Sequence, residues 1–343
     1  MKHKIILIIL FCVFAVFIAT NLAVAPTFQT KIFQTKNSET KNPDSRDYFF
    51  TKKPEPLSEI KILFIGDIMM DRSIRTRAEN LTRTMGEKTG YDFFFQCAQP
   101  VFEKYDFVVA NLEGPVTNYP SASQFAPIGH PDNTKFTMSP ATLLAMRNSG
   151  INIINIDNNH MYDFGNDGLR QTVQNIISVD IKYFGDPFNP DQKSINIVKN
   201  GISFDLISYN EFFGKTEETI SEIETINSKK FSEGNLNRKI IIFAHWGDEY
   251  VEVPERIRKT ARNFINSGTD IIIGTHPHVL QEVEIYNQKP IFYSLGNFIF
   301  DQYWDDFVKN GGVAEIVINN RGEVTSRLFH VYLDTERRRC ISD

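Results

Sequence analysis

The chain has 343 residues, 41% of them hydrophobic, 13% aromatic and 23% charged, which is enough apolar material for a large globular core. Its net charge of −5, from 37 basic and 42 acidic side chains, leaves no basic excess and excludes a surface built for nucleic acid. The three cysteines, Cys12, Cys97 and Cys340, are far apart and form no CxxC pair or framework, so cysteine is expected neither to staple the fold nor to build a metal site.

Lys2 and Lys4 precede an apolar run from Ile5 to Ala25, broken only by Thr20 and Asn21. A cleavable leader has an apolar core of about 7–15 residues, and a membrane-spanning helix needs roughly 20; the run fits the second. Ala23-Val24-Ala25 offers a small-x-small site, but Pro26 follows it directly. The expectation is a single N-terminal anchor in the cell membrane, over residues 1–25, with the lysines in the cytoplasm and the remainder outside. Secretion after cleavage is the alternative. Residues 26–59 carry Pro26, Pro43, Pro54 and Pro56 among Thr, Lys, Asn and Ser, and read as an extracytoplasmic linker. The folded domain is expected over 60–343.

From Lys61 onward, short apolar runs each end in polar residues: Lys61–Ile68, Phe107–Leu112, Ile151–Ile156, Ile202–Ser208, Lys239–Ala244, Asp270–Ile273 and Pro290–Leu295. They read as buried strands. Ser139-Pro140 predicts an N-cap followed by a first-turn proline, and Gly150 the end of that helix. Pro254–Ser267 has apolar residues at helical spacing, with Gly268 beyond it. Val313–Ile318 and Arg327–Leu333 add strand-like pieces, and alternating strands and helices predict an α/β layered domain.

The polar residues after the strands carry the chemistry. One strand runs into Gly66-Asp67, the next into Asn111-Leu112-Glu113, and a third into Asn158-Asn159-His160 with Asp163 close behind. The later ones run into His245-Trp246-Gly247 and Gly274-Thr275-His276-Pro277-His278. Ligands of α/β sheets bind outside the carboxyl ends of strands, so five strand ends offer Asp, Glu, Asn and His toward one site. Four of the seven histidines, His160, His245, His276 and His278, lie in these segments, a preference that scattered histidines would not show. Mixed imidazole and carboxylate donors suit Zn, Mn or Fe rather than Mg or Ca. Histidines two apart on extended backbone point to opposite faces; either Pro277 bends the chain so that both reach the site, or one serves the metal and the other a substrate.

In order and content these segments resemble the CapA family of poly-γ-glutamate capsule-biosynthesis proteins, within the calcineurin-like metallophosphoesterase superfamily. The matching stretches are Gly66–Arg72, Asn111–Thr117, Asn158–His160 with Asp163, His245–Tyr250, Gly274–Val279 and Tyr293–Phe298, covering about residues 61–302. The resemblance implies a four-layer α/β/β/α sandwich, metallophosphoesterase-like, with one or two divalent metal ions at the strand ends. Carried over by position, Asp67, Glu113, Asn159, His245, His276 and His278 look like the metal ligands. His160 resembles the catalytic histidine that protonates a leaving group, Asp163 its orienting carboxylate, and Arg72 an oxyanion contact. Met69 stands where the wider superfamily has a histidine, and Glu113 where it commonly has a bridging aspartate.

Three functions fit this pattern. One is metal-dependent hydrolysis of a phosphoester or an amide. Another is non-catalytic clamping of poly-γ-glutamate or another anionic polymer during capsule synthesis or export. The third is a structural partnership with a membrane synthase complex. Phe93–Phe95 and Phe298–Trp304 could line a substrate groove, though such clusters are more often core or lid packing, and Arg337–Arg339 reads as a solvated charge run.

Overall fold

The structure is a computed structural model that describes residues 57–85 and 90–342. The expected anchor, and the linker as far as residue 56, lie outside the described residues. Among the described residues no helix is long and apolar enough to cross a membrane.

Strands β1 (Glu59–Ile68), β2 (Phe107–Leu112), β3 (Ile153–Asn155) and β4 (Lys182–Phe184) run parallel and adjacent in that order. A second sheet holds β5 (Ser194–Lys199), β6 (Ile202–Asn210), β7 (Lys239–His245), β8 (Ile271–Thr275), β9 (Val283–Tyr286) and β10 (Lys289–Phe292) in the order β5-β6-β7-β8-β10-β9. The chain then returns to the first sheet. There β11 (Asn297–Ile299) and β12 (Gly311–Asn319) both pair with β1, and β13 (Val324–Leu333) and β14 (Arg339–Ile341) extend that edge. The helices are α1 (Arg72–Met85), α2 (Gln99–Phe102), α3 (Pro140–Ser149), α4 (Gly165–Ser178), α5 (Thr216–Ser232), α6 (Glu255–Ser267) and α7 (Asp306–Lys309).

Side-chain alternation along the central strands sets the layers. On β1, Ile60, Ile62 and Phe64 enter the core between the sheets, where Phe204, Leu206, Ile241, Phe243, Ile271 and Ile273 meet them. Phe64 and Phe243 pack with ring centroids 5.8 Å apart, and Phe107 and Phe204 at 5.6 Å. The alternate residues Leu63 and Ile65 face a second core with Ala78, Leu143, Met146, Leu169 and Ile176 of α1, α3 and α4. Behind the other sheet, Ile240, Ile242 and Ile272 pack on Ile223, Ile257, Ala261 and Phe264 of α5 and α6. Three cores between four layers make the α/β/β/α sandwich. Strands buried on both faces explain why they read as near-continuous apolar runs. Each fully buried Ile or Phe contributes about 1.5–3 kcal/mol.

The punctuation of α3 is as predicted. Ser139 accepts from Ala141 N–H, Pro140 opens the helix, and Gly150 closes it at φ 106°. Phe93–Phe95 are buried in the helical core.

Two expectations are corrected. Cys97 and Cys340 form a disulfide across 243 residues of sequence. No local spacing announces it, because the pairing of β14 with β13 is what carries Cys340 to the segment before α2. Nor is Arg337–Arg339 uniformly solvated. Arg339 is buried, and its guanidinium donates to the carbonyl of Lys309. Burial pushes its pKa down to about 10.

The disulfide ties the edge of the eight-stranded sheet to its helical layer. Cys97→Ser is expected to lower unfolding stability by about 2–4 kcal/mol. In urea titrations, reductant should lower the wild type to the variant's midpoint and leave the variant unmoved. Equal midpoints for both proteins without reductant would contradict the role.

Candidate metal centre

The parallel strands of both sheets deliver their carboxyl ends to one place, as α/β sheets do. Asp67 lies near the end of β1, Asn111 near that of β2 with Glu113 just beyond, and His245 closes β7. Hydrogen bonds cross between the sheets here. Asn111 Nδ2 donates to Asp67 Oδ1 at 2.8 Å and lies 3.3 Å from His245 Nδ1, while the backbone N–H of His276 donates to Asp67 Oδ2 at 3.1 Å. Such close approach requires glycine beside the donors. A Cβ at Gly66 would stand 1.9 Å from the Gly296 carbonyl oxygen, and one at Gly274 2.0 Å from that of Tyr293.

Two overlapping groups of donors result, Glu113 with His245 and His276, and Glu113 with Asp67 and His278. In each group the donor atoms lie within 4.8 Å of one another, and all five residues are buried. Asn159, after β3, places its Oδ1 2.8 Å from His245 Nε2. The structure therefore brings together all six residues expected from the sequence as ligands.

His276 and His278 both turn inward because neither has extended backbone. They have φ of 96° and 60°, a region rare for non-glycine residues, and their rings are 5.9 Å apart. Arg72 (φ 50°) and Tyr250 (φ 63°) are strained in the same way. All four adjoin the donor cluster, where strain of this kind collects when function requires it.

The electrostatics suit a cation. Burial raises the pKa of Asp67 to about 7, against hydrogen bonds from Asn111 and the His276 N–H. Burial and then the charge of Asp67 hold Glu113 well above the ordinary carboxylate range. Burial pushes His245 and His278 well below the ordinary imidazole range, and His276 to about 4. The imidazoles are thus neutral with lone pairs available. Among the described residues, both oxygens of Glu113 and Nδ1 of His276 are buried without a hydrogen-bond partner, atoms that a divalent cation would satisfy. The residues fit the group.

Around the cluster, His160 Nδ1 lies 3.0 Å from Asp163 Oδ2, which also accepts from Phe136 N–H at 2.8 Å. The Phe136 ring packs 4.3 Å from that of His160. Arg72 donates through Nε to Asp301 Oδ1 at 2.9 Å, and its guanidinium carbon lies 5.1 Å and 5.4 Å from the rings of Phe136 and Phe300. Its charge reaches Glu113 and His278. Met69 is buried against Phe136 and Phe300, and its sulfur lies 3.1 Å from the Asp71 N–H. His130, by contrast, is exposed beside Asp132.

Three supporting residues have roles the sequence did not disclose. Asn111 bridges Asp67 and His245, Asn297 Oδ1 lies 3.0 Å from His278 Nδ1, and Asp301 holds Arg72. Asn111 and Asn297 stand in strand-end segments, which is a signal of place without role; Asp301 has none.

In the metal-free domain the folded state keeps a proton on Asp67 up to about pH 7, whereas the unfolded chain releases it near 3.8. The folded state binds more protons across that window, so this group's contribution to stability falls as pH rises from about 4 to 7. Glu113→Gln is expected to stabilise the metal-free domain at pH 7 by about 1–3 kcal/mol. It should also abolish the rise in melting temperature that a divalent cation gives the wild type. Thermal scans with chelator and with Mn²⁺ check both, and an undiminished cation shift in Glu113→Gln would contradict the shared-donor geometry.

Residues 61–302, which contain every strand end just described, match the family model described as bacterial capsule synthesis protein PGA_cap. A Bacillus subtilis "PGA biosynthesis protein CapA" is 33% identical over 253 residues, covering 70% of this chain and 63% of that protein. A Bacillus anthracis "Capsule biosynthesis protein CapA" is 31% identical over 268 residues, covering 72% and 61%. The chain thus spans less than two thirds of the length of these relatives. An uncharacterized Sinorhizobium fredii protein is 42% identical over 57 residues, 17% of this chain and 12% of that one. With two sheets between helical layers and a match running from β1 past β11, this chain belongs to the bacterial capsule synthesis (PGA_cap) family, with its metallophosphoesterase-like fold.

Proposed function

We propose that this protein acts outside the cytoplasm in the synthesis or export of a poly-γ-glutamate-type capsule, through a metal-dependent hydrolase-type centre. The observation that carries the reading is the pair of donor groups sharing Glu113, whose oxygens have no hydrogen-bond partner among the described residues. The names of the two Bacillus relatives support the capsule role. The Cys97–Cys340 disulfide supports an oxidising compartment, where such bonds persist. An N-terminal anchor over residues 1–25 would tether the domain to the membrane, near any synthase it serves.

Glu113, Asn159, His245 and His276 would hold one divalent ion, and Asp67, Glu113 and His278 a second, with Mn, Fe or Zn suited to the mixed donors. Such ions, when bound, supply Lewis acidity and offset the buried carboxylates. The chain's own residues do the rest. Nδ1–H of His160 donates to Asp163, which fixes the ring, and in the imidazolium form Nε2–H is the group that gives its proton to the leaving oxygen or nitrogen. Phe136 packs against that ring and limits its rotation. Arg72, held by Asp301 and two aromatic rings, keeps positive charge beside Glu113 and His278, where it would oppose charge developing on an oxyanion.

One observation favours a second reading, binding of the anionic polymer without turnover. Met69 occupies the superfamily's histidine position, and its sulfur is engaged by a backbone N–H. The Asp67–Glu113–His278 group is then one donor poorer, better suited to gripping carboxylates than to driving chemistry.

Elemental analysis and turnover of a phosphodiester, a phosphomonoester and poly-γ-glutamate separate the two. Under the first reading the protein holds metal and cuts one of the three. His160→Ala should then keep the metal and lose roughly 10²-fold or more in kcat. Asp163→Asn should lose about 10-fold, with a displaced pH profile. Bound metal with polymer binding and no turnover supports the clamp; His160→Ala at wild-type rate contradicts the proton-donor role.

A further inference from the structure

Beyond the strand-end donors lies an open groove of about 890 Å³. The turns after β7 and β11, with α7, supply its aromatic wall: Tyr250, Trp304 and Phe307, exposed by 43%, 65% and 77%. Rings this exposed contribute little to the core, and as a group they mark a binding surface. Tyr250 and Trp304 meet at a centroid distance of 5.6 Å and an interplanar angle of 73°, forming two walls of a box.

The charge in the groove has one prevailing sign. Among the described residues, Glu252, Glu282 and Asp305 line it with a single cation, Arg258. Arg258 is already paired with Glu282, and its guanidinium carbon lies 5.4 Å from the ring of Tyr293. Glu252 forms no ion pair among the described residues. Asp305 uses one oxygen to accept from the Phe307 N–H at 2.9 Å, capping α7.

The groove is also coupled to the metal centre. The Tyr250 ring stacks on that of His278 at 5.7 Å and 30°. Its hydroxyl accepts from Gln302 Nε2 at 2.9 Å, and Gln302 Oε1 accepts from Asn297 Nδ2 at 3.0 Å. Asn297 in turn holds His278 Nδ1.

We propose that this groove is a subsite for an organic ammonium group, seating an amine-bearing ligand beside the metal centre. Perpendicular aromatic faces attract a cation through their quadrupoles, and the unpaired carboxylates add Coulombic attraction. The same carboxylates repel an anionic polymer, so the groove is not the polymer's own seat. The ligand is instead a second molecule, or a cationic part of one, lying next to the bound polymer. The inference goes beyond the capsule reading and is tested without turnover, so either can fail alone.

Trp304 is a built-in reporter. The only other tryptophan, Trp246, is fully buried with its indole N–H donated to Tyr293 O at 2.8 Å. Full-length protein would be titrated at low salt with cadaverine, with maltotriose as a neutral glycan and with poly-γ-glutamate as a polyanion. The expected result is a saturable change in Trp304 emission with cadaverine, weakened by added salt, and none with the other two. By calorimetry, Trp304→Leu should weaken cadaverine binding about 5- to 10-fold and Glu252→Gln about 3-fold. Tyr250→Phe, which keeps the ring, should bind within about 2-fold of wild type. Saturable binding of maltotriose or poly-γ-glutamate instead of cadaverine, no saturable response at all, or unchanged affinity in Trp304→Leu would each overturn the proposal.

Discussion

Two carboxylates, Asp67 and Glu113, are buried side by side where the ends of two sheets meet, and a negative pair in such a place is unstable without a cation. Protonation is one answer, and it holds on Asp67 up to about pH 7. A divalent ion among three neutral imidazoles is the other, and it lets the carboxylates ionise. The neighbours suit the second answer. Asn111 and the His276 N–H orient Asp67, Asn297 orients His278, and the oxygens of Glu113 are left open.

The sandwich makes this arrangement possible. Each sheet alone offers a row of strand ends with donors spread along an edge. Packing them face to face through Phe64, Phe243 and their neighbours sets His245 and His276 of one sheet against Asp67 and Glu113 of the other. A shift between the sheets would separate the donors, so the apolar interface also fixes the geometry of the site. The strained backbone at His276 and His278 shows how strongly that geometry is enforced, because neither conformation would persist in an isolated loop.

Much of this was legible in the sequence, for a physical reason. Strands covered on both faces read as unbroken apolar runs, so their ends, and the donors there, stand out. β1, β2, β3, β6, β7, β8 and β10 were visible in this way, whereas β12 and the half-exposed β13 showed only as strand-like pieces. The short or edge strands β4, β5, β9 and β14 were not, because half-exposed positions such as those of Val283–Tyr286 mix polar and apolar residues. The Cys97–Cys340 bond was misread because only tertiary pairing brings its halves together. Asp301 was invisible for the same reason: its partner Arg72 lies 229 residues earlier. The inward turn of both His276 and His278 was foreseen as one of two options. Their φ angles turn both side chains inward, and both lie among the donor groups.

Diffraction from crystals soaked in Mn²⁺, recorded to exploit the metal's anomalous signal, locates the cation directly. A metal centre at the strand ends gives a strong peak within ligand distance of Glu113, His245 and His276, and any second peak between Glu113, Asp67 and His278. Crystals with no anomalous density at Glu113, or with Mn²⁺ bound only at surface carboxylates, would contradict it.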